Sequence, residues 1–408
     1  MQKSILLIFC AALLTGCQNQ PKSTDPLPAP QRLASPAGDH SAEPNLHVAP
    51  DGRFLLSWIE QPEDGPATLK FAFYGDEWSG VRAVASGEDW FVNWADFPSM
   101  TVLANGTLAA HWLAKSAPET FSYDVMLSFS RDGGQTWNPP MRPHRDGTQS
   151  EHGFVSMLPY GEDAVFLTWL DGRQYAAARQ GKAPEEMTLR AAIINDRGEF
   201  QWEAELDNRV CDCCQTSAVR AGEAFVVAYR DRSPNEIRDI GIVRIADGRA
   251  EPPRIPRPDG WKIPGCPVNG PALDARSSTV VMAWFTMARD SARVQLAFSQ
   301  DGGRTFGPRV RVDDGQALGR VDVVLLSKNR AVVSWLEKGE NDAEIRIRQV
   351  DADGAVSASQ VVATTSASRA SGFPRMAFNG EHLFFAWTQP GEIPRVNVAK
   401  ITIRTATN

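Results

Sequence analysis

Helix is the first thing this chain lacks. No stretch repeats apolar residues at helical spacing over a convincing length, which excludes helical bundles and helical repeats. After Leu14 no apolar run is long enough to cross a bilayer. Charge of one sign is nowhere concentrated: 42 basic and 49 acidic residues are interspersed to a net of −7. That excludes a nucleic-acid surface and a second, charge-driven membrane contact. Neither a change of composition nor an interdomain linker divides the chain. Cysteine is sparse, six residues in 408, and the one cluster, Cys211-Asp212-Cys213-Cys214, lacks the second C-x-x-C pair of the familiar zinc pattern. Tyrosine is scarcer still, five residues against 12 tryptophans, an aromatic investment that suits packing between sheets or a carbohydrate-facing surface.

What is present begins with a leader. Lys3, the apolar run Ile5 to Leu14 and then Leu14-Thr15-Gly16-Cys17 read as a signal peptide over residues 1–17. The ending resembles the bacterial lipobox, which implies cleavage before Cys17 and lipidation of its thiol; plain secretory cleavage is the alternative. Gln18 after the cysteine resembles lipoproteins sorted to the outer membrane. The expectation is therefore an envelope lipoprotein facing the periplasm, with its membrane contact made by the lipid. Residues 18–30, rich in Pro, Gln, Ser and Thr, form a tether. Residues 31–408 are left as one domain.

Length without internal division points to a repeat. A strand, a polar turn and an apolar strand ending in an aromatic recur at Trp58, Trp112, Trp169, Tyr229, Trp284, Trp335 and Trp387, at intervals of 51 to 60 residues. Seven such units, with strands and Gly/Pro/Asp turns throughout, predict an all-β, seven-bladed propeller of four-stranded antiparallel blades. The last unit has room for only three strands. Gln31 to Ser35 can supply the fourth and close the ring.

Two turns carry one string. Ser130, Asp132, Gly134, Thr136 and Trp137 match Ser299, Asp301, Gly303, Thr305 and Phe306 in the pattern S-x-D-x-G-x-T-W/F. Asp and Gly supply the turn conformation, and the aromatic anchors it between sheets. These strings resemble the Asp boxes of sialidase-type repeat proteins, where they lie between the third and fourth strands of a blade. That family is six-bladed, so a six-bladed ring is the alternative.

The opposite face of a propeller conventionally carries the chemistry. Two inter-blade loops there hold Cys211, Cys213 and Cys214, and Cys266, so four thiols are expected to converge at the channel mouth. An even set in an exported chain allows disulfides that staple blades. Adjacent Cys213 and Cys214 are awkward for that, and clustered thiolates suit copper or zinc; inert thiols are the third reading. His152 or His144 can complete a thiolate site, unless each is a loop imidazole bonded to backbone. Met287 is a soft donor or simply packing.

Arg and Asp also gather on this face: Asp171, Arg173 and Tyr175; Arg230, Asp231 and Arg232; Arg238-Asp239; Arg289-Asp290. They can clamp a carboxylate or pair with one another. The sialidase resemblance implies an arginine triad, a Tyr nucleophile paired with Glu, an Asp acid/base and an Arg-Ile-Pro leading into the first blade. Here that segment is Glu43-Pro44-Asn45-Leu46, Arg254-Ile255-Pro256 lies between units four and five, and no Glu is evidently placed beside Tyr175. An exo-α-sialidase or related glycosidase using Asp171, Arg173, Tyr175, Arg230, Asp231 and Arg232 is thus the alternative. The leading expectation is a non-hydrolytic, monomeric propeller that binds a metal, small molecule, glycan or envelope protein through its Cys-rich face. It resembles a bacterial sialidase-like subgroup with a Cys-Asp-Cys-Cys loop. A disulfide-stapled interaction scaffold is the third class.

Overall fold

The computed structural model describes residues 26–403 except 183 and 341; the leader, Cys17 and most of the tether lie outside the described residues. Seven antiparallel sheets follow one another along the chain. Their first strands touch in sequence around a ring, from Ser41–Val48 through Ser99–Val102, His152–Tyr160, Ser217–Ala221, Ala272–Arg276 and Ala317–Ser327 to Arg375–Phe378, which returns to Ser41–Val48. These inner strands number the blades 1 to 7. The seven-bladed ring is the architecture, and the six-bladed alternative is set aside.

Closure occurs where the sequence places it. Gln31–Leu33 pairs with Arg395–Thr402 as the outermost strand of blade 7, with Arg32 opposite Ala399. A ring closed by its own N-terminal strand leaves no long sheet edge open. Blade 2 is the exception to four strands: after its Asp box the fourth is reduced to a bridge between Leu127 and Met141.

Every repeating aromatic sits in the second strand of its blade and is buried. A buried indole N–H needs an acceptor, and the residue two positions on supplies it in three blades. Trp58 donates to Glu60 at 2.8 Å, Trp169 to Asp171 at 2.8 Å and Trp335 to Glu337 at 2.5 Å. Residues i and i+2 share a face of a strand, so W-x-D/E is a built-in pair.

The two Asp boxes fold alike. The Ser130 hydroxyl accepts from the Gly134 amide at 2.8 Å and donates to Asp132, whose carboxylate also takes the Thr136 amide and hydroxyl. Ser299, Asp301, Gly303 and Thr305 repeat these contacts. Gly134 adopts φ +88, and a Cβ there would run into the Phe71 ring of blade 1. The boxes therefore lock one blade to the next on the face away from the thiols.

Around the channel, carboxylates clasp consecutive inner strands. Asp96 accepts the Phe154 amide at 2.7 Å, Asp274 the Leu325 amide at 2.6 Å and Asp322 the Met376 amide at 2.8 Å.

Candidate metal and ligand site

Blade 3 ends in a long strand, Phe200–Val210, that carries the chain straight into Cys211. The Cys211 amide then donates to the Arg230 carbonyl, at the end of the second strand of blade 4. This puts the Cys211-Asp212-Cys213-Cys214 loop on the seam between blades 3 and 4. The second loop, 266–270, is brought to it by two devices. Arg230 donates Nε and Nη2 to the Asn269 carbonyl at 2.9 and 2.7 Å, and Gly270 lies so close that a Cβ would collide with the Gln215 carbonyl oxygen.

The thiols converge as expected. Cys211 Sγ lies 3.6 Å from Cys213 Sγ and 3.6 Å from Cys214 Sγ. Cys213 also approaches Cys266 and Asp212, the three donor atoms lying within 4.8 Å of one another. All four cysteines are free thiols. A sulfur separation of 3.6 Å is far beyond the ~2.05 Å of a disulfide, so the staple reading finds no bond here.

Charge at the cluster is uneven. Arg238 Nη1 donates to Cys211 Sγ at 3.0 Å. The Cys211 thiol is drawn well below its ordinary value by its contacts with the Cys213 and Cys214 thiols and by Arg238, which together outweigh burial. Cys213 is pushed up because it is a donor to Cys211, and Cys214 is pushed up first by burial. Of the three inner thiols, Cys211, beside the Arg238 guanidinium, is the one drawn toward the thiolate.

A cavity of about 500 Å³ opens beside the loop, bordered by Asp212, Tyr175, Glu151, Arg179 and Arg232. Behind it stands a group that the sequence did not announce. Tyr123, stacked on Phe91 at 3.9 Å, sends its hydroxyl 3.0 Å from both Asp96 Oδ2 and Glu151 Oε1. A phenol has one proton to donate, so two carboxyl groups at hydrogen-bond distance require that one of them carry a proton of its own. Burial pushes Asp96 up to about 7 and Glu151 up to about 8.

The Arg/Asp residues turn out to be bonded inward. Arg173 grips Asp171 through Nε and Nη2 at 2.7 Å each, and Asp171 also takes the Trp169 indole. Asp171 is fully buried and Arg173 partly exposed in this pair, the second of the two fates the sequence allowed, pairing with one another. Arg230 spends its guanidinium on the carbonyls of Asn269, Arg238 and Phe285. Arg232 pairs with Glu236 at 2.9 Å. Asp231 is pushed up by burial to about 6, and its amide bonds the Asp239 carbonyl. Tyr175 rides on a six-residue helix, Arg173–Ala178, and is pushed up by burial and the nearby Asp212 and Glu151. The phenol paired with a glutamate is Tyr123, not Tyr175.

His152 departs from the thiol site. It stacks on His144, ring centroids 3.8 Å apart, between Asp124 and Asp146. Its Nδ1 meets the Ser150 carbonyl at 3.2 Å, so the loop-imidazole reading holds for that nitrogen. Its Nε2 faces Asp146 at 3.3 Å and Asp171 at 3.8 Å. Burial draws His152 down, but the bond to Asp146 and the charges of Asp171, Asp146 and Asp124 outweigh it and hold the imidazole above its ordinary value. Met287 is exposed.

The fold and these positions define a closed seven-bladed β-propeller with a thiol-lined mouth. No family model matches the chain, and no curated protein does. Solved structures do. The chain is similar to the lectin BP39L from Burkholderia pseudomallei, at 9% identity over 91% of this chain and 98% of that one, with a TM-score of 0.59. It is similar to the polysaccharide lyase Uly1, at 8% identity over 88% and 89%, TM-score 0.53. A protein of unknown function from Dyadobacter fermentans DSM 18053 aligns at 15% identity over 93% and 99%, TM-score 0.51. At these identities the likeness is one of fold.

Proposed function

We propose that the thiol-lined mouth binds a soft metal ion, Cu(I) or Zn(II), and that the chain works as a monomeric, lipid-anchored binding protein of the outer membrane's periplasmic side rather than as a hydrolase. The observation that carries the metal reading is the sulfur spacing. Thiolates ~2.3 Å from a tetrahedral ion stand about 3.8 Å apart, and Cys211 lies 3.6 Å from both Cys213 and Cys214. Arg238 adds the cation that an all-thiolate set requires to offset its negative charge. The chain from Gln18 onward, purified reduced and metal-free, should bind at least one Cu(I) or Zn(II) in competition with a chromophoric chelator. The Cys211→Ser, Cys214→Ser double variant should lose the tightly held ion. A wild-type chain that takes up neither ion refutes the reading.

A second reading, glycoside hydrolysis, is favoured by the Tyr123 hydroxyl held between Glu151 and Asp96, because Glu151 is a proton-bearing acid on the cavity wall. It predicts cleavage of a fluorogenic sialoside that disappears in Glu151→Gln. No turnover by the wild-type chain removes it.

A further inference from the structure

We propose that the mouth holds two ions rather than one, with the Cys213 sulfur bridging a buried inner position and an open outer one; this rests on the reading that the thiols bind a soft metal. Two separate three-donor groups are present. Cys211, Cys213 and Cys214 form the first, Asp212, Cys213 and Cys266 the second, and the donor atoms of each lie within 4.8 Å of one another. Cys213 Sγ alone belongs to both.

A single four-thiolate site is not what this geometry offers. Around one tetrahedral ion all four sulfurs stand about 3.8 Å apart. Here the four do not all lie within 4.8 Å of one another, since Cys266 joins Cys213 but not the inner group. Cys266 has a different companion, the Asp212 carboxylate, 3.7 Å from its sulfur. A thiolate sulfur keeps lone pairs after binding one ion and so can bind a second, which a half-buried Cys213 between two buried thiols and an exposed one is placed to do.

The two positions differ in character. The inner one has Cys211 and Cys214, each 1% exposed, and the Arg238 guanidinium 3.0 Å from Cys211, so its ion is shielded and charge-balanced. The outer one has an exposed Cys266 and an Asp212 side chain 33% exposed, and Asp212 borders the 500 Å³ cavity. Its ion keeps an open side. The inner ion is therefore held and the outer one exchanges. Each binding thiol releases its proton to solvent as the metal–sulfur bond forms.

The test uses Cu(I), supplied as its acetonitrile complex without oxygen and counted against bathocuproine disulfonate, with thiolate-cluster luminescence as the second readout. The wild-type chain should take up two Cu(I) and luminesce, because a sulfur-bridged pair emits and a single site does not. Cys266→Ser, an exposed position whose change leaves the core untouched, should take up one Cu(I) and stay dark. Asp212→Asn should weaken only the second ion, by tenfold or more. One Cu(I) in both wild type and Cys266→Ser overturns the two-ion site and leaves the soft-metal reading standing. Two ions retained in Cys266→Ser overturn the assignment of the outer position. None in the wild type overturns both.

Discussion

Asp96→Asn is the substitution whose effect can be worked through from the structure. Asp96 is 2% exposed, takes the Phe154 amide on Oδ1 and meets the Tyr123 hydroxyl on Oδ2. Burial raises its carboxyl from 3.8 to about 7. An acid raised on folding binds its proton more tightly in the native state. Its contribution is thus fully present below pH ~4 and is lost as pH rises toward 7, with no further change above. At ~1.36 kcal/mol per unit the loss is about 4 kcal/mol. Asparagine copies the protonated acid: its oxygen still accepts from Phe154, its NH₂ donates to the phenol oxygen, and Tyr123 donates to Glu151. Removing Asp96's charge also relieves Glu151, which that charge helps to raise. Urea unfolding of both chains at pH 4, 5.5, 7 and 8.5 should show near-equal stability at pH 4 and an advantage for Asp96→Asn of about 4 kcal/mol at pH 8.5. Taking the difference cancels the groups whose titration the substitution leaves alone. A gap that does not change with pH, or a variant weaker than wild type at pH 8.5, would show that Asp96 is an ordinary ionised carboxylate and that the shared-proton account of Tyr123 is wrong.

Other outcomes follow from single contacts. Ser130→Ala leaves the buried Gly134 amide without its acceptor and should cost about 1–2 kcal/mol, read as a lower thermal midpoint with the thiol site's metal affinity unchanged. Gly270→Ala drives a methyl into the Gln215 carbonyl and so separates the two cysteine loops; Cu(I) affinity should fall at least tenfold, while far-ultraviolet circular dichroism stays that of the wild type. Arg173→Ala strands the buried Asp171 charge, and the expected cost is about 3–5 kcal/mol, measured by chemical denaturation, with metal stoichiometry intact.

The ring was legible because it is periodic. Trp58, Trp112, Trp169, Tyr229, Trp284, Trp335 and Trp387 recur on one strand of each blade, and the incomplete last unit pointed to Gln31 to Ser35, of which Gln31–Leu33 forms the missing edge. The meeting of Cys211, Cys213, Cys214 and Cys266 was legible for the same reason: consecutive inter-blade loops on one face must approach each other. Contacts that depend on where a side chain points across a seam were not. Tyr123 reaches Asp96 and Glu151, 27 and 28 residues away, and no local pattern marks such a meeting. His152 is one residue from Glu151, but strand alternation turns it to the other side, into the carboxylates of Asp124, Asp146 and Asp171. The role of Asp171 was in view as W-x-D, repeated as W-x-E at Glu60 and Glu337, a signal that marks an indole acceptor and not a catalytic acid.

That distinction bears on what the mouth can attract. An acidic sugar would need guanidinium groups with donors to spare. Arg173 is closed on Asp171, Arg230 on backbone carbonyls, Arg232 on Glu236, and Arg238 on Cys211 and Glu236. Arg179 on the cavity wall donates to the Gln149 carbonyl at 3.4 Å, and a single arginine makes no triad. The donors left facing one another are sulfur and carboxylate: Cys211, Cys213, Cys214, Cys266 and Asp212. A surface whose cations are internally satisfied while its soft anionic donors converge fits the cation that we propose it receives. On that reading the arginines crowding the mouth are not there to take up an anion. They hold the loops in place and offset the charge of the thiolates, so exchanging Arg238 for a neutral residue should weaken Cu(I) binding by raising Cys211 toward an ordinary thiol, even though Arg238 itself never touches the metal.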